Sequence, residues 1–131
     1  MNPYKKWLGR AEYNLKLALT PIDEGTYLEE LCYNAQQAAE KALKGLLVFF
    51  DIDPPHTHNI GRLLESLSNV VTIPNSIYSA SELTKYSHET RYPGSYKDIS
   101  LDEYKRIIEI TKNCLNWVDE ITRMEGNFND L

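Results

Sequence analysis

Apolar residues recur along this chain at helical rather than strand spacing. Pro3 suits a first helical turn, and Tyr4, Trp7, Leu8, Ala11, Leu15, Ala18 and Leu19 then form one buried stripe, which predicts a helix from Asn2-Pro3 to about Thr20. Asn14 falls at the edge of that stripe, where a polar side chain requires a partner; an interhelical hydrogen bond is the simplest one. A second helix is expected from about Thr26 to Phe50. Leu28, Leu31, Cys32, Ala35, Ala38, Ala39, Ala42, Leu43, Leu46 and Phe50 make it apolar over about half its circumference, as a central helix must be. Its alanines let neighbouring backbones come close. Tyr33, Gln37, Glu40 and Lys44 form the polar flank, with Glu40 and Lys44 in the favourable i, i+4 order. On a surface such a pair contributes less than about 1 kcal/mol.

The break Asp51-Ile-Asp-Pro-Pro55 and the stretch His56-Thr-His58-Asn59 lead into a short amphipathic helix with Ile60, Leu63, Leu64 and Leu67 inward and Asn59 as its cap. Pro74-Asn75-Ser76 starts a fourth helix running to about Thr90, with Ile77, Ala80, Thr84, His88 and Arg91 on one side. Tyr92-Pro93-Gly94 ends it. Ser100-Leu-Asp-Glu103 is a capping-box pattern opening a last helix to about Met124, whose core face is Leu101, Tyr104, Ile107, Ile108, Thr111, Cys114, Leu115 and Val118. Ile110, Trp117 and Ile121 widen that face, either as a subunit interface or as the seat of the short helix. The expected fold is all-α, an up-and-down bundle of four or five helices over residues 1–125, followed by a flexible C-terminal tail at 126–131.

Composition narrows the function more than the fold. With 131 residues, 42% hydrophobic and 25% charged, the chain is of ordinary globular make-up and single-domain size. No run approaches the roughly 18 apolar residues of a membrane span, and the opening Met1-Asn-Pro-Tyr-Lys-Lys lacks a signal-peptide pattern, so a cytoplasmic protein without membrane contact is expected. The formal charge of −5 is opposite to that of a general nucleic-acid binder, and any RNA contact has to be local. The two cysteines fall on core faces and read as inert thiols.

No metal site is expected, since none of the three histidines follows a glutamate at the i, i+3 spacing of bundle metal sites, and His56 and His58 beside Pro-Pro read as loop and helix entry. Phosphate-binding glycine loops are absent too. One cluster remains: His88 and Arg91, three apart, with Tyr86, Tyr92, Tyr96 and Lys97 nearby. Arginine offers a fork of donors to phosphate, tyrosine a stacking face to a base, and histidine a proton near neutral pH. The competing reading makes the same residues a helix stop, with Arg91 on the last carbonyls and Tyr-Pro-Gly as turn chemistry.

Ala11-Glu-Tyr-Asn-Leu15, Tyr33-Asn-Ala35-Gln-Gln-Ala-Ala-Glu40-Lys41-Ala-Leu-Lys44, Pro55-His56 to His58-Asn-Ile60 with Leu63-Leu64, and Thr90-Arg91-Tyr92-Pro93 resemble, in this order, the HEPN domain (higher eukaryotes and prokaryotes nucleotide-binding). The resemblance implies a helical bundle, usually dimeric, often encoded beside a minimal nucleotidyltransferase and sometimes acting with it as a toxin–antitoxin pair. Many such domains are metal-independent ribonucleases whose signature is an arginine and a following histidine separated by four to six residues. After Arg91 the corresponding positions hold Tyr96, Lys97 and Asp98, and no histidine follows anywhere in the chain. The reading is therefore a non-catalytic nucleotide-binding or accessory partner of a nucleotidyltransferase, acting as a homodimer. Arg91 is its phosphate contact, Tyr92, His88 and Lys97 stand beside it, and Glu40 and Lys44 serve as pocket-edge or helix-tethering residues. ATP or AMP is the candidate ligand. The rivals are a ribonuclease using His88 and Arg91, and a purely structural dimeric interaction module.

Overall fold

In the computed structural model, residues 3–87 and 98–129 are described, with side chains of the last helix described as far as residue 124. Helices α1 (Pro3–Ala18), α2 (Leu28–Phe49), α3 (Ile60–Leu67), a 3-10 helix (Asn75–Tyr86) and α4 (Leu101–Asn129) follow in order, and no strand occurs among the described residues. The fold is an all-α bundle. Its axis is α2, against which α1, α4, α3 and the 3-10 helix all pack, whereas α1 and α4 touch each other only sparsely.

The alanine-rich face of α2 explains this arrangement. Ala35, Ala38, Ala39 and Ala42 are almost completely buried, and small side chains there allow helices to approach on several sides. The approach of α1 is closest at Gly45, where a Cβ would stand 2.9 Å from Trp7 Cβ and 3.0 Å from Leu8 Cδ2. The two helices run antiparallel, so Tyr4 meets Phe49 edge to face at 4.9 Å while Asn14 faces Asn34. Asn14 is indeed buried and partnered across helices.

Helix α2 stops without glycine. Asp51 takes the left-handed conformation (φ 62°), its N–H reaches Val48 O at 2.9 Å and Ile52 N–H reaches Leu47 O at 2.9 Å, which is the Schellman pattern. Asn59 caps α3, its Oδ1 accepting from Arg62 N–H. Ser100 caps α4 by accepting from Glu103 N–H at 3.1 Å, while Glu103 Oε2 accepts from Tyr86 O–H at 2.7 Å and so ties α4 to the end of the 3-10 helix. Tyr104 O–H donates to Ala18 O at 2.6 Å, satisfying a carbonyl at the end of α1.

Several details differ from expectation. The fourth helix is 3-10, and its buried residues Ile77, Ala80, Leu83 and Tyr86 follow a period of three; Thr84 is not in the core but accepts from Ile60 N–H at 3.0 Å. Leu19 and Leu101 sit at helix ends and are exposed rather than inward. On α4, Trp117 is buried and Ile110 and Ile121 pack partly against the core of this chain; α3 lies instead on α2 and the 3-10 helix. Helix α4 continues to Asn129, beyond the end expected near Met124.

Candidate functional site

The polar flank of α2 closes over a buried carboxylate. Glu40 is only 4% exposed, and three donors converge on it. Gln36 Nε2 donates to Oε1 at 2.9 Å from one turn earlier, Lys44 Nζ to Oε2 at 3.1 Å from one turn later, and His58 Nδ1 lies 2.8 Å from Oε1. Gln37 Nε2 extends the chain by donating to Gln36 Oε1 at 2.8 Å. The helical period stacks Gln36, Glu40 and Lys44, but His58 arrives from the α2–α3 connection. Because Glu40 is buried, its pairing with Lys44 is not the surface salt bridge that spacing alone describes.

This hub also positions the chain leading to the expected phosphate cluster. His58 is held on α2, Asn59 caps α3, and the first N–H of α3 docks on Thr84 of the 3-10 helix. Two residues further on, Tyr86 is fixed to Glu103, and burial, followed by that hydrogen bond, pushes its phenol well above the usual tyrosine value. His88, Arg91, Tyr92, Tyr96 and Lys97 lie outside the described residues. Of the sequence-derived site residues the structure thus brings together Glu40 and Lys44 and adds His58 and Gln36 to them. His58 escaped the sequence reading because it is 18 positions from Glu40 and nothing local links them. Gln36 left a signal only as half of the Gln-Gln pair.

Beside the hub, Lys41 Nζ donates to Asn14 Oδ1 at 2.7 Å. Its ammonium is held below the ordinary lysine value by burial and then by the charge of Arg10, with Lys44 adding to the effect and Glu40 opposing it. Tyr33 is raised above the usual phenol range by burial and then by Glu40 and Glu30. Chemically, Glu40 is an acceptor with three donors already on its roughly four lone-pair sites, suited to holding a lysine and orienting a histidine. Among the described residues no three His, Cys, Asp or Glu side chains gather as a metal site, and both cysteines are buried thiols.

A bundle centred on one alanine-faced helix, with a polar hub on that helix's flank, is the architecture of a known helical domain class. The chain belongs to the HEPN domain family, whose family model matches residues 4–121. It is 32% identical to TT1696 from Thermus thermophilus, with a TM-score of 0.79 over 92% of this chain and 98% of that one. ST0689, an archaeal HEPN homologue, is 31% identical, with a TM-score of 0.69 over 89% of this chain and 95% of that one. The uncharacterized protein MJ1439 of Methanocaldococcus jannaschii is 31% identical over 120 residues, which are 88% of this chain but 54% of that protein. The chain thus spans about half the length of that curated relative. No helix among the described residues is long and apolar enough to cross a membrane.

Proposed function

We propose that this HEPN-domain protein is a non-catalytic nucleotide-binding or accessory partner of a minimal nucleotidyltransferase, in a toxin–antitoxin-like pair, and that it works as a homodimer in the cytoplasm. One observation carries the non-catalytic reading: after Arg91, the three positions of the family's ribonuclease histidine hold Tyr96, Lys97 and Asp98, and the chain has no later histidine. Arginine stays charged and moves no proton, so phosphate binding is the role open to Arg91. Tyr92, His88 and Lys97 complete the contact with ATP or AMP.

The Glu40 hub supports this reading from the scaffold side. His58 bonds Glu40 and so tethers the segment before α3 to α2, while Lys44, on α2 itself, balances the charge of the same carboxylate. His58 thus helps set the start of α3, which docks through Ile60 N–H on Thr84.

Calorimetric titration of ATP, AMP and GTP into the full chain tests the proposal, together with co-purification of a nucleotidyltransferase encoded beside it. The expected result is nucleotide heat that Arg91→Ala abolishes, and complex formation that survives the substitution. Cleavage of single-stranded RNA in the presence of chelator, lost in both His88→Ala and Arg91→Ala, would overturn it in favour of the ribonuclease. Partner binding without any nucleotide heat would leave a purely structural module.

A further inference from the structure

Eight large apolar side chains are exposed among the described residues, and four of them, Tyr13, Leu19, Ile22 and Tyr27, lie in one short stretch from the end of α1 to the start of α2. Single exposed apolar residues are ordinary on a protein surface, whereas a cluster marks a contact surface. Tyr13, Leu19 and Pro21 line one open depression of about 690 Å³, and Ile22 follows Pro21 directly. The start of α4, with exposed Leu101 and Asp102, is at the same end of the bundle, because Tyr104 O–H, one turn further on, donates to Ala18 O.

The connection that carries Ile22 and Tyr27 is a closed turn. Asp23 N–H donates to Thr26 Oγ1 at 2.9 Å, and Thr26 Oγ1 in return donates to Asp23 Oδ1 at 3.1 Å. Gly25 N–H also donates to Asp23 Oδ1, and Thr26 N–H donates to Asp23 O. Ile22 and Tyr27 therefore stand on the two arms of one fixed unit, with Glu24 at its tip. A surface so held loses little freedom when a partner covers it.

Tyr27 is the least expected residue of the group. It is the N-cap of α2, its side chain caps nothing, and it is 70% exposed. Serine, threonine, asparagine or aspartate at that position accepts a helix N–H, and Thr26, one residue earlier, is spent on Asp23 instead. The central helix thus starts without a cap and presents an aromatic ring to solvent, which the stability of the bundle alone does not explain. Exposed tyrosines of this kind are common anchors of protein interfaces.

Charge selects the occupant. Between Lys16 and Lys41 the chain has no lysine, arginine or histidine, and Asp23, Glu24, Glu29 and Glu30 lie on and just after the turn. Lys16 itself lines the depression together with Glu12, one turn before it. Glu29 and Glu30 also suit the first turn of α2, but Asp23 and Glu24 precede that helix and owe nothing to it. We propose that the Ile22–Tyr27 turn and the adjoining end of α1 form a docking surface for a basic amphipathic segment of a partner protein, whose apolar side chains cover Leu19, Ile22 and Tyr27 while its lysines or arginines meet the carboxylates of the turn. The surface needs neither Arg91 nor a bound nucleotide, and so goes beyond the function proposed above.

The test titrates the full chain into a short fluorescein-labelled helical peptide of leucine and lysine, followed by anisotropy, beside a peptide in which every lysine is replaced by glutamate. The wild type is expected to bind the basic peptide and not the acidic one. Tyr27→Ser and Ile22→Ser should each weaken binding about tenfold. Glu24→Gln should weaken it roughly threefold at low salt and scarcely at high salt. Tyr27→Ser supplies the missing cap, so its melting temperature should hold or rise while binding falls, which separates lost docking from lost fold. Val70→Ser alters an exposed apolar residue after α3 and should bind as wild type. The proposal is overturned if the wild type binds neither peptide or both alike, if Tyr27→Ser binds as wild type, or if Val70→Ser weakens binding as much. Sedimentation equilibrium decides the remaining occupant: a dimer that Tyr27→Ser turns into monomer assigns the surface to a second copy of this chain and also overturns the proposal. Nucleotide heat that Arg91→Ala abolishes and Tyr27→Ser leaves intact would keep the proposed function standing whichever way the docking surface falls.

Discussion

His58 and Glu40 join the α2–α3 connection to the middle of α2 through a 2.8 Å contact, with the carboxylate buried and the imidazole partly open to solvent. A carboxylate so placed survives only because Gln36, Lys44 and His58 together replace the water it has lost. Glu40→Leu removes the common acceptor and leaves the completely buried Gln36 amide without it. We expect a loss of about 3 kcal/mol in urea denaturation. Glu40→Gln keeps the shape and one acceptor oxygen, and should lose less. Equal stability of Glu40→Leu and wild type would show that the hub does not hold the fold.

A second expectation concerns the 3-10 helix. Leu83 is completely buried and Thr84 is not, although Thr84 Oγ1 accepts the first N–H of α3. Leu83→Ala should therefore lose about 2–5 kcal/mol by leaving a cavity. Thr84→Val, which keeps the volume and removes the acceptor, should lose about 1 kcal/mol. The reverse order in chemical denaturation would mean that the register is α-helical.

That register marks where the sequence could be read and where it could not. Periods of three and of 3.6 coincide over the first turn, so Ile77 and Ala80 point inward under either, and only beyond them do the two choices separate into Leu83 or Thr84. Ser79 and Ser81, whose hydroxyls bond back to the carbonyls of Ser76 and Tyr78, favour a tighter local backbone, but their weight is invisible to a hydrophobic pattern. The long helices, by contrast, declare themselves through many turns of repeated burial, and Asn59 and Ser100 announce their caps locally. Asp51 does not, because a left-handed aspartate looks like any other until its neighbours are placed. The candidate site divides in the same way: Glu40 and Lys44 are local partners on one helix, whereas His58 meets them only through the path of the chain.

Alkaline pH should destabilise the fold through Cys114. Its burial pushes the thiol from 9.0 up to about 12, so the folded state holds the proton more tightly than the unfolded one. The stabilisation is complete below pH 9.0, where both states are protonated, and is lost as pH rises towards about 12. The loss should approach 1.4 kcal/mol per pH unit, about the linkage slope of one proton. Tyr86, raised in the same direction from 10.0, should steepen it at higher pH. Urea denaturation across this range checks the sign, and Cys114→Ala should flatten the slope while lowering stability at neutral pH. A wild-type stability that stays level or rises above pH 9.0 would contradict the burial of the thiol.

Two helical glycines should respond in opposite directions to the same substitution. At Gly9 an added Cβ meets nothing within 4 Å, so Gly9→Ala keeps only the propensity gain and should stabilise by up to about 1 kcal/mol. At Gly45 the same methyl would stand 2.9 Å from Trp7 Cβ and 3.4 Å from Tyr4 O, atoms carried by the α1 backbone rather than by the free end of a side chain. Relief then requires α1 to move off α2, and such overpacking typically loses about 1–3 kcal/mol, more than the helix preference returns. Gly45→Ala should therefore be destabilising on balance. Because α1 carries Asn14, it should also disturb the Asn14–Lys41 contact. If both alanine variants are equally stable, the close approach of α1 to α2 at Gly45 is not maintained in solution.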